Sequence, residues 1–221
     1  MHRRDFDRPG GPSTLTELLA LPGVREEVAM RSRFGFMAIH GGDLEVMTDV
    51  IAARAAAKSG ASYYGVVHPP RLYRHLPSVR YRPDESPTLQ SFLGGVDVVV
   101  SIHGYGRDGR WTSVLLGGRN RELAKEVAVE LEGRLVDYDA VTDLDRIPVE
   151  LRGMSAHNPV NMPVAHGVQL ELPPRIRGIA PSSALPGDDG LSPPTRSLVE
   201  GLAAAARNWL GTGDDREGAG R

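Results

Sequence analysis

Short apolar runs alternate along the chain with longer segments in which apolar residues recur every three or four positions. Runs rich in Val, Ile, Tyr and Phe predict strands at residues 34–39, 61–67, 96–102, 111–116 and 168–172. A more polar strand at 24–31 is predicted to pair with 34–39 through a short polar turn. The helical spacing predicts helices at residues 15–21, 45–58, 86–93, 122–131 and 194–210.

The order of these elements predicts the fold class. Because strands alternate with helices and the central strands are apolar on both faces, we expect a single α/β domain with a mixed, mostly parallel sheet and helices on both faces. This domain is expected to span residues 14–210. Residues 1–13 are predicted to form a loose arm, and residues 211–221 a disordered tail.

The composition excludes several functional classes. The 221 residues carry a net charge of -2, which gives no electrostatic argument for binding nucleic acid or a membrane. The absence of cysteine excludes disulfides, thiolate metal ligands and a cysteine nucleophile. The N-terminal residues lack the apolar core of a signal peptide, and no apolar run reaches membrane-spanning length. A cytoplasmic protein is therefore expected.

Two histidines that are each followed by glycine, His40 and His103, end predicted strands. Ligands of open α/β sheets bind at the carboxyl ends of strands, so these side chains are candidates for one site. Two histidines and a glutamate, with a fourth position open for water, are a known catalytic zinc set, and Glu45 can supply the carboxylate. Glu45 can reach the same point as His40 only if Gly41-Gly42 bends the chain back.

The spacing leaves alternative ligands open. Asp43 is a competing carboxylate because it follows His40 even more closely than Glu45 does. His68 also ends a predicted strand and is a rival imidazole ligand.

A glutamate within the last predicted strand is the candidate general base. Side chains alternate along a strand, so Glu171 and Gln169 share one face while apolar residues occupy the other. A charged residue in such a strand needs a partner or a function. A carboxylate there can take a proton from a zinc-activated water and pass it to the leaving nitrogen. His166 is a candidate for orienting Glu171.

Taken together, the motifs resemble those of the poly-γ-glutamate hydrolase family. The matching segments follow the family order over roughly residues 25–210: Ala38-Ile-His40-Gly-Gly with Glu45 and Thr48, His75-Leu-Pro-Ser78, Ser101-Ile-His103-Gly-Tyr105, Leu116-Gly-Gly-Arg-Asn120, Asn158 with Asn161, and Gly167-Val-Gln-Leu-Glu171-Leu. The resemblance implies a zinc-carboxypeptidase-like fold. It also implies Zn²⁺ bound by His40, Glu45 and His103, with Glu171 as the catalytic carboxylate, and a substrate with γ-glutamyl amide bonds.

Two departures from the family pattern concern the substrate. The family often has Asn-Arg-Gly before the last strand and Ser-Arg-Gly-Leu-Arg after it, whereas here Asn161 precedes Met162-Pro163 and the strand continues into Pro173-Pro-Arg175-Ile-Arg177. A lost arginine removes a contact to a substrate carboxylate, which Arg107, Arg110, Arg175 or Arg177 can replace. The predicted substrate-binding residues are Arg107, Arg110, Arg175 and Asn161.

The sequence therefore predicts a zinc-dependent amidohydrolase or peptidase that acts on a small or peptide-like anionic substrate, with an arginine in the segment 107–110 stabilising the oxyanion. Two other functions are alternatives, the first of which uses the same site. One is a deacylase of small N-acyl amino acids. The other is a catalytically silent protein that binds an anionic ligand through the arginine-rich segment 71–82.

Overall fold

The structure, a computed structural model, describes residues 11–180 and 183–218. Its helices are α1 (Leu15–Leu19), α2 (Thr48–Ser59), α3 (Pro87–Gly95), α4 (Arg121–Glu132) and α5 (Pro193–Gly218). Its strands are β1 (Arg25–Ala29), β2 (Phe34–Gly42), β3 (Ser62–His68), β4 (Val98–Gly104), β5 (Ser113–Leu116), β6 (Asp139–Val141) and β7 (Gly167–Leu172).

The seven strands form one mixed sheet in the order β1-β3-β2-β4-β7-β5-β6. The four central strands β3, β2, β4 and β7 are parallel to one another. Strand β1 is antiparallel to β3, and β5 is antiparallel to β7. The predicted mixed, mostly parallel sheet is confirmed.

The predicted pairing of the segment 24–31 with 34–39 is wrong, because β1 pairs with β3 and not with β2. Nearly every residue of β2 is buried, so this strand takes an interior position between β3 and β4. Strand β1 is half-exposed and polar, which suits the edge of the sheet.

Two apolar cores lie on opposite faces of the sheet. Alternation along β2 directs Phe34, Phe36 and Ala38 into the first core, which α2, α4 and α5 cover. Met37 and Ile39 point into the second core, where residues of α1 and α3 pack. Helices therefore cover both faces, as predicted, and the cores fix the strands whose carboxyl ends carry the candidate site.

The ends of the chain and one short strand differ from the sequence-based expectation. Strand β6 has only three residues, too few for a recognisable period. Helix α5 runs beyond the predicted end at Leu210, so the predicted tail 211–221 overlaps its last turns. The predicted arm falls largely on residues 1–10, which lie outside the described residues. Among the described helices, none is long and apolar enough to cross a membrane.

Candidate active site

Three side chains singled out from the sequence come from three adjacent parallel strands. His40 lies near the carboxyl end of β2, His103 near that of β4 and Glu171 near that of β7. His103 and Glu171 are register partners. All three side chains are buried. The sheet therefore brings them to one edge, where open α/β sheets bind ligands.

A tight turn after β2 returns Glu45 to His40. The backbone amide of Glu45 donates to the carbonyl oxygen of His40 at 2.9 Å. Gly42 within this turn has φ +69°, and a Cβ there would overlap the carbonyl oxygen of His68. The expected bend at Gly41-Gly42 is therefore present, and it places Oε1 of Glu45 2.8 Å from Nδ1 of His40.

The second oxygen of the same carboxylate faces the other histidine. Oε2 of Glu45 lies 3.5 Å from Nδ1 of His103 and accepts a hydrogen bond from the amide of Gly104 at 2.8 Å. Burial on its own would raise the pKa of Glu45, but the charges and hydrogen bonds of His40 and His103 together hold that pKa well below its usual value. Glu45 is an ionised carboxylate between two imidazoles.

The other ring nitrogen of each histidine is held by the protein. Nε2 of His40 lies 3.0 Å from the carbonyl oxygen of Leu76, and Nε2 of His103 lies 3.0 Å from the Ser101 hydroxyl. If Nε2 of a neutral His40 donates to that carbonyl, Nδ1 presents a lone pair toward the Glu45 carboxylate. An imidazole lone pair and a carboxylate that face one another fit a divalent cation between them. A donor set of two imidazole nitrogens and one carboxylate oxygen fits zinc.

A further histidine in this cluster, His75, was not identified as a ligand from the sequence. Its ring centroid is 4.6 Å from that of His40. The potential ligand atoms of His40, Glu45 and His75 all lie within 4.8 Å of one another. Burial, reinforced by His40, lowers the pKa of His75 to about 4, which keeps it neutral and able to bind a metal. His75 lies in an irregular segment, where no strand or helix period marks it as a site residue.

Glu171 is a titratable carboxylate next to this cluster, as the register partner of His103. Burial raises its pKa to about 7, against the opposing influence of His103. Nε2 of Gln169 donates to its Oε1 at 2.9 Å. A carboxyl group that titrates near neutral pH can act as both proton acceptor and proton donor.

Residues of this cluster line a cavity of about 470 Å³. Three histidines and three glutamates are among the lining residues, and none of the described lining residues is Arg or Lys. The residues that line the cavity are His40, Glu45, His75, Pro77, Ser78, Val79, His103, Gly104, Val149, Glu150, Leu151, Gly153, Met154, Ser155, Asn158, Gln169 and Glu171. The cavity thus offers metal ligands and proton-transfer groups on one surface.

The two alternative ligands are held in other interactions. Oδ2 of Asp43 accepts a hydrogen bond from the amide of Arg71 at 2.7 Å. The ring nitrogens of His68 lie 3.2 Å from the carbonyl oxygens of Gly41 and Arg74. Neither residue lines the cavity, and burial lowers the pKa of His68. The structure therefore favours Glu45 over Asp43, and gives His68 a role in holding the turn.

The three predicted substrate-binding arginines do not line the cavity. Arg107 forms an exposed ion pair with Glu150, which does line it, so Arg107 lies next to a lining residue. Arg175 lies over the ring of Tyr138, 5.9 Å from its centroid. The side chain of Arg110 has no described contact with the cavity wall.

Asn161 supports the cavity wall from behind. Its Oδ1 accepts from the amide of Arg119 at 2.9 Å, and its Nδ2 donates to the carbonyl oxygens of Gly153 at 2.7 Å and Ser155 at 2.8 Å. Gly153 and Ser155 line the cavity. His166 bonds to the carbonyl oxygen of Asn161 at 2.8 Å, so the expected orientation of Glu171 by His166 is made instead by Gln169.

Arg177 is a buried cation behind the cluster. Its guanidinium donates to the carbonyl oxygens of Val46 at 2.9 Å and Tyr105 at 3.4 Å. A Cβ on Gly104 would crowd this guanidinium, so the glycine lets the guanidinium approach the backbone closely. Burial lowers the pKa of Arg177, but the nearby carboxylates favour its charged form. Arg177 therefore balances negative charge at the site without lining the cavity.

Comparison with known proteins identifies the same family as the sequence motifs. A model of the poly-gamma-glutamate hydrolase family matches residues 17–180, which confirms the resemblance seen in the motifs. The solved bacteriophage poly-gamma-glutamate hydrolase is 21% identical over 86% of this chain and 90% of its own, with a TM-score of 0.69. The zinc-free apo form of YNDL is 18% identical over 84% of this chain and 90% of its own, with a TM-score of 0.68.

A putative carboxypeptidase from Burkholderia mallei is also similar, with 11% identity, a TM-score of 0.49 and coverage of 85% of this chain and 64% of its own. No curated protein sequence shows a significant match. The likeness to the bacteriophage enzyme and YNDL shows a shared fold.

Proposed function

The chain belongs to the poly-gamma-glutamate hydrolase family, and from this premise we propose that it is a zinc-dependent amidohydrolase or peptidase that cleaves an amide bond of an acidic, γ-glutamyl-type substrate. The observation that carries the proposal is the position of the Glu45 carboxylate between Nδ1 of His40 and Nδ1 of His103. The description of the similar YNDL structure as zinc-free supports zinc as the metal.

His40, Glu45 and His103 would hold the zinc, because both Nε2 atoms are already engaged and both Nδ1 atoms face the carboxylate. His75 is the competing imidazole ligand. We favour His103 because a strand fixes its backbone and the Ser101 hydroxyl fixes its ring. When bound, zinc supplies Lewis acidity, which polarises an amide carbonyl and makes water more acidic.

Glu171 would act as general base and then as general acid. It lines the cavity beside His103, its register partner, and its pKa of about 7 suits proton exchange near neutral pH. It would accept a proton from the attacking water and deliver that proton to the leaving amide nitrogen. One carboxylate thereby serves both halves of the hydrolysis.

The acidic part of the substrate would lie toward the mouth of the cavity. The ion pair of Arg107 with Glu150 supports this, since an anionic group that displaces Glu150 would gain the arginine. Arg107 or Arg110 would also stabilise the oxyanion, which requires the segment 107–110 to move toward the cavity, since neither residue lines it. Asn161 would act through the Gly153–Ser155 wall that it holds.

A small N-acyl amino acid is the second candidate substrate. The cavity volume of about 470 Å³ is within the range of sites that enclose small ligands. Assays of γ-linked polyglutamate, α-linked polyglutamate and N-acyl amino acids against the zinc-loaded protein separate the two. Release of amines from the γ-linked polymer but not from the α-linked one is the expected result.

Elemental analysis of the purified protein tests the zinc centre. We expect stoichiometric zinc in the wild type and its loss in His40→Ala. His157→Ala is the matched control, because His157 is an exposed histidine outside the cluster. Failure of the wild type to retain stoichiometric zinc after reconstitution would refute the proposal.

A further inference from the structure

A line of three buried polar side chains joins the cavity wall to Glu171. Nδ2 of Asn158 donates to Oε1 of Gln169 at 2.7 Å. Nε2 of Gln169 in turn donates to Oε1 of Glu171 at 2.9 Å. The exposed fractions of Asn158, Gln169 and Glu171 are only 3%, 5% and 4%. Hydrogen bonds in such a water-poor setting are strong when made and costly when broken.

The orientation of each amide is fixed by a backbone group bonded to it. The amide of Val160 can only donate, and it donates to Oδ1 of Asn158 at 3.3 Å, which leaves Nδ2 to face Gln169. The carbonyl of Leu151 can only accept, and it accepts from Nε2 of Gln169 at 3.3 Å. Gln169 is therefore obliged to present its N–H, and not its oxygen, to Glu171.

The backbone around this line is shaped to fit it. Gly153 has φ +62°, and a Cβ there would overlap the amide oxygen of Gln169. Asn161 holds the carbonyl of Gly153 from the other side at 2.7 Å. The backbone at Gly153, which lines the cavity, therefore packs directly against the Gln169 amide.

We propose that Asn158 and Gln169 are positioning residues, which fix the Glu171 carboxylate for proton transfer by holding its Oε1 in a directional hydrogen bond. This inference rests on the proposed function, in which Glu171 is the base. With Oε1 held by Gln169, Oε2 is the oxygen left to exchange protons with water and the leaving nitrogen. Asn158 does not touch Glu171, so its influence passes through Gln169.

The isosteric substitution Asn158→Asp tests the directionality. An aspartate keeps the acceptor for Val160 but has no N–H for Gln169, so the Gln169 amide turns over and presents its oxygen to Glu171. We expect kcat to fall about 10-fold while zinc content stays unchanged. Gln169→Leu removes the donor altogether and should lower kcat by about 10- to 100-fold.

The double variant tests whether the two residues act in series. If Asn158 acts through Gln169, the double variant should match Gln169→Leu within about 2-fold, because the second change has nothing left to act on. Fully additive losses of kcat would overturn the relay.

Asn120→Asp is the control for damage to the fold. Asn120 also uses its amide to join two backbone groups, the amide of Leu123 and the carbonyl of Ala165, but it lies outside the cavity. This variant should lower the melting temperature and leave kcat unchanged. A fall in kcat as large as that of Asn158→Asp would assign the effect to general destabilisation and overturn the proposal.

Side-chain amide resonances in ¹H–¹⁵N NMR spectra give a readout that does not depend on hydrolysis. The Gln169 NH₂ should exchange slowly with solvent in the wild type, and its chemical shifts should change in Asn158→Asp, where the NH₂ faces position 158 and no longer Glu171. An inactive wild type would remove the proposed function, while the exchange data would still test the hydrogen-bond line. An active wild type with rapid exchange at Gln169, or with kcat indifferent to both substitutions, would overturn the positioning role alone.

Discussion

His103 on β4 and Glu171 on β7 stand opposite one another as register partners of two parallel strands. Adjacent strands lie about 4.8 Å apart, so the sheet itself sets the separation between a candidate metal ligand and the candidate base. Neither residue needs a loop to bring it to the site. The two proposed roles, metal ligand for His103 and base for Glu171, can therefore be tested by substituting one residue without moving the other.

Glu171→Gln should abolish turnover and leave zinc bound. The amide has nearly the shape of the carboxyl group but cannot accept and release the proton, so we expect kcat to fall by about 100-fold or more. Steady-state kinetics and elemental analysis of the same preparation check this. A variant with wild-type kcat would remove Glu171 from the proposed role.

His103→Gln and His75→Gln form a matched pair for the ligand set. If His103 is the ligand, its substitution should lower zinc affinity by about 100-fold or more, because loss even of an outer-shell partner typically costs 10- to 100-fold. Substitution of His75 should lower zinc affinity by much less. Competition with a chromophoric chelator measures both affinities. The reverse order would transfer the ligand role to His75.

The metal-free protein should lose stability as pH rises, because of Glu171. Its pKa is about 7 in the folded state and near 4.5 in the unfolded state, so folding takes up a proton between these values. The stabilising protonated form is fully present below pH 4.5 and is lost as pH rises through about 7. At one pKa unit per 1.4 kcal/mol, the cost in the free energy of unfolding reaches about 3 kcal/mol.

Urea denaturation of chelator-treated wild type and Glu171→Gln at several pH values measures this effect. The free energy of unfolding of Glu171→Gln should increase relative to that of the wild type between pH 5 and 8, because the glutamine amide does not titrate. A difference that does not change with pH would show that Glu171 titrates normally in the folded protein.

Arg177→Met should destabilise the fold. The substitution removes the donors to the carbonyl oxygens of Val46 and Tyr105 and the cation near the buried carboxylates. We expect a loss of about 1 to 3 kcal/mol in the free energy of unfolding, the usual cost of leaving buried hydrogen-bonding groups without a partner. Arg177→Lys keeps the charge and should lose less. A loss below about 1 kcal/mol in urea denaturation of Arg177→Met would contradict this account.

Gly42→Ala and Gly60→Ala separate steric crowding from backbone strain. Both glycines have positive φ, +69° and +75°, but a Cβ on Gly42 would overlap the carbonyl oxygen of His68, whereas a Cβ on Gly60 would meet nothing within 4 Å. Gly60→Ala should cost about 1 kcal/mol for its conformation alone. Gly42→Ala should cost more and also weaken zinc binding, because the turn delivers Glu45. Equal losses in thermal unfolding would argue against the crowding.

The parts of the site that lie on strands could be predicted from the sequence, because a buried strand carries a strong local pattern. His40, His103 and Glu171 each stand near the end of an apolar run, and parallel strands bring such ends together. The i, i+2 spacing of Gln169 and Glu171 also carried real information, since it places both side chains on one face.

The parts that depend on loops could not be predicted in this way. His75 reaches the cluster from an irregular segment, and Asn158 and Gly153 lie in another, so no period along the chain links them to the strands. The prediction of substrate-binding arginines depends on residue type alone. Residue type does not reveal that Arg175 packs on Tyr138. The pairing of β1 depended on which strand best fills the sheet interior, which is a property of all the strands together.

The separation of the site into strand-borne and loop-borne parts has a consequence for how the protein can change. The groups proposed to hold the metal and move the proton sit mostly on or beside the sheet, whereas the wall around them comes from the segments 75–79 and 149–158. Loops tolerate substitution and length change far better than packed strands do. New substrates can therefore be accommodated by substitutions in the wall, provided that Gly153 and Asn158, which contact Gln169, are kept.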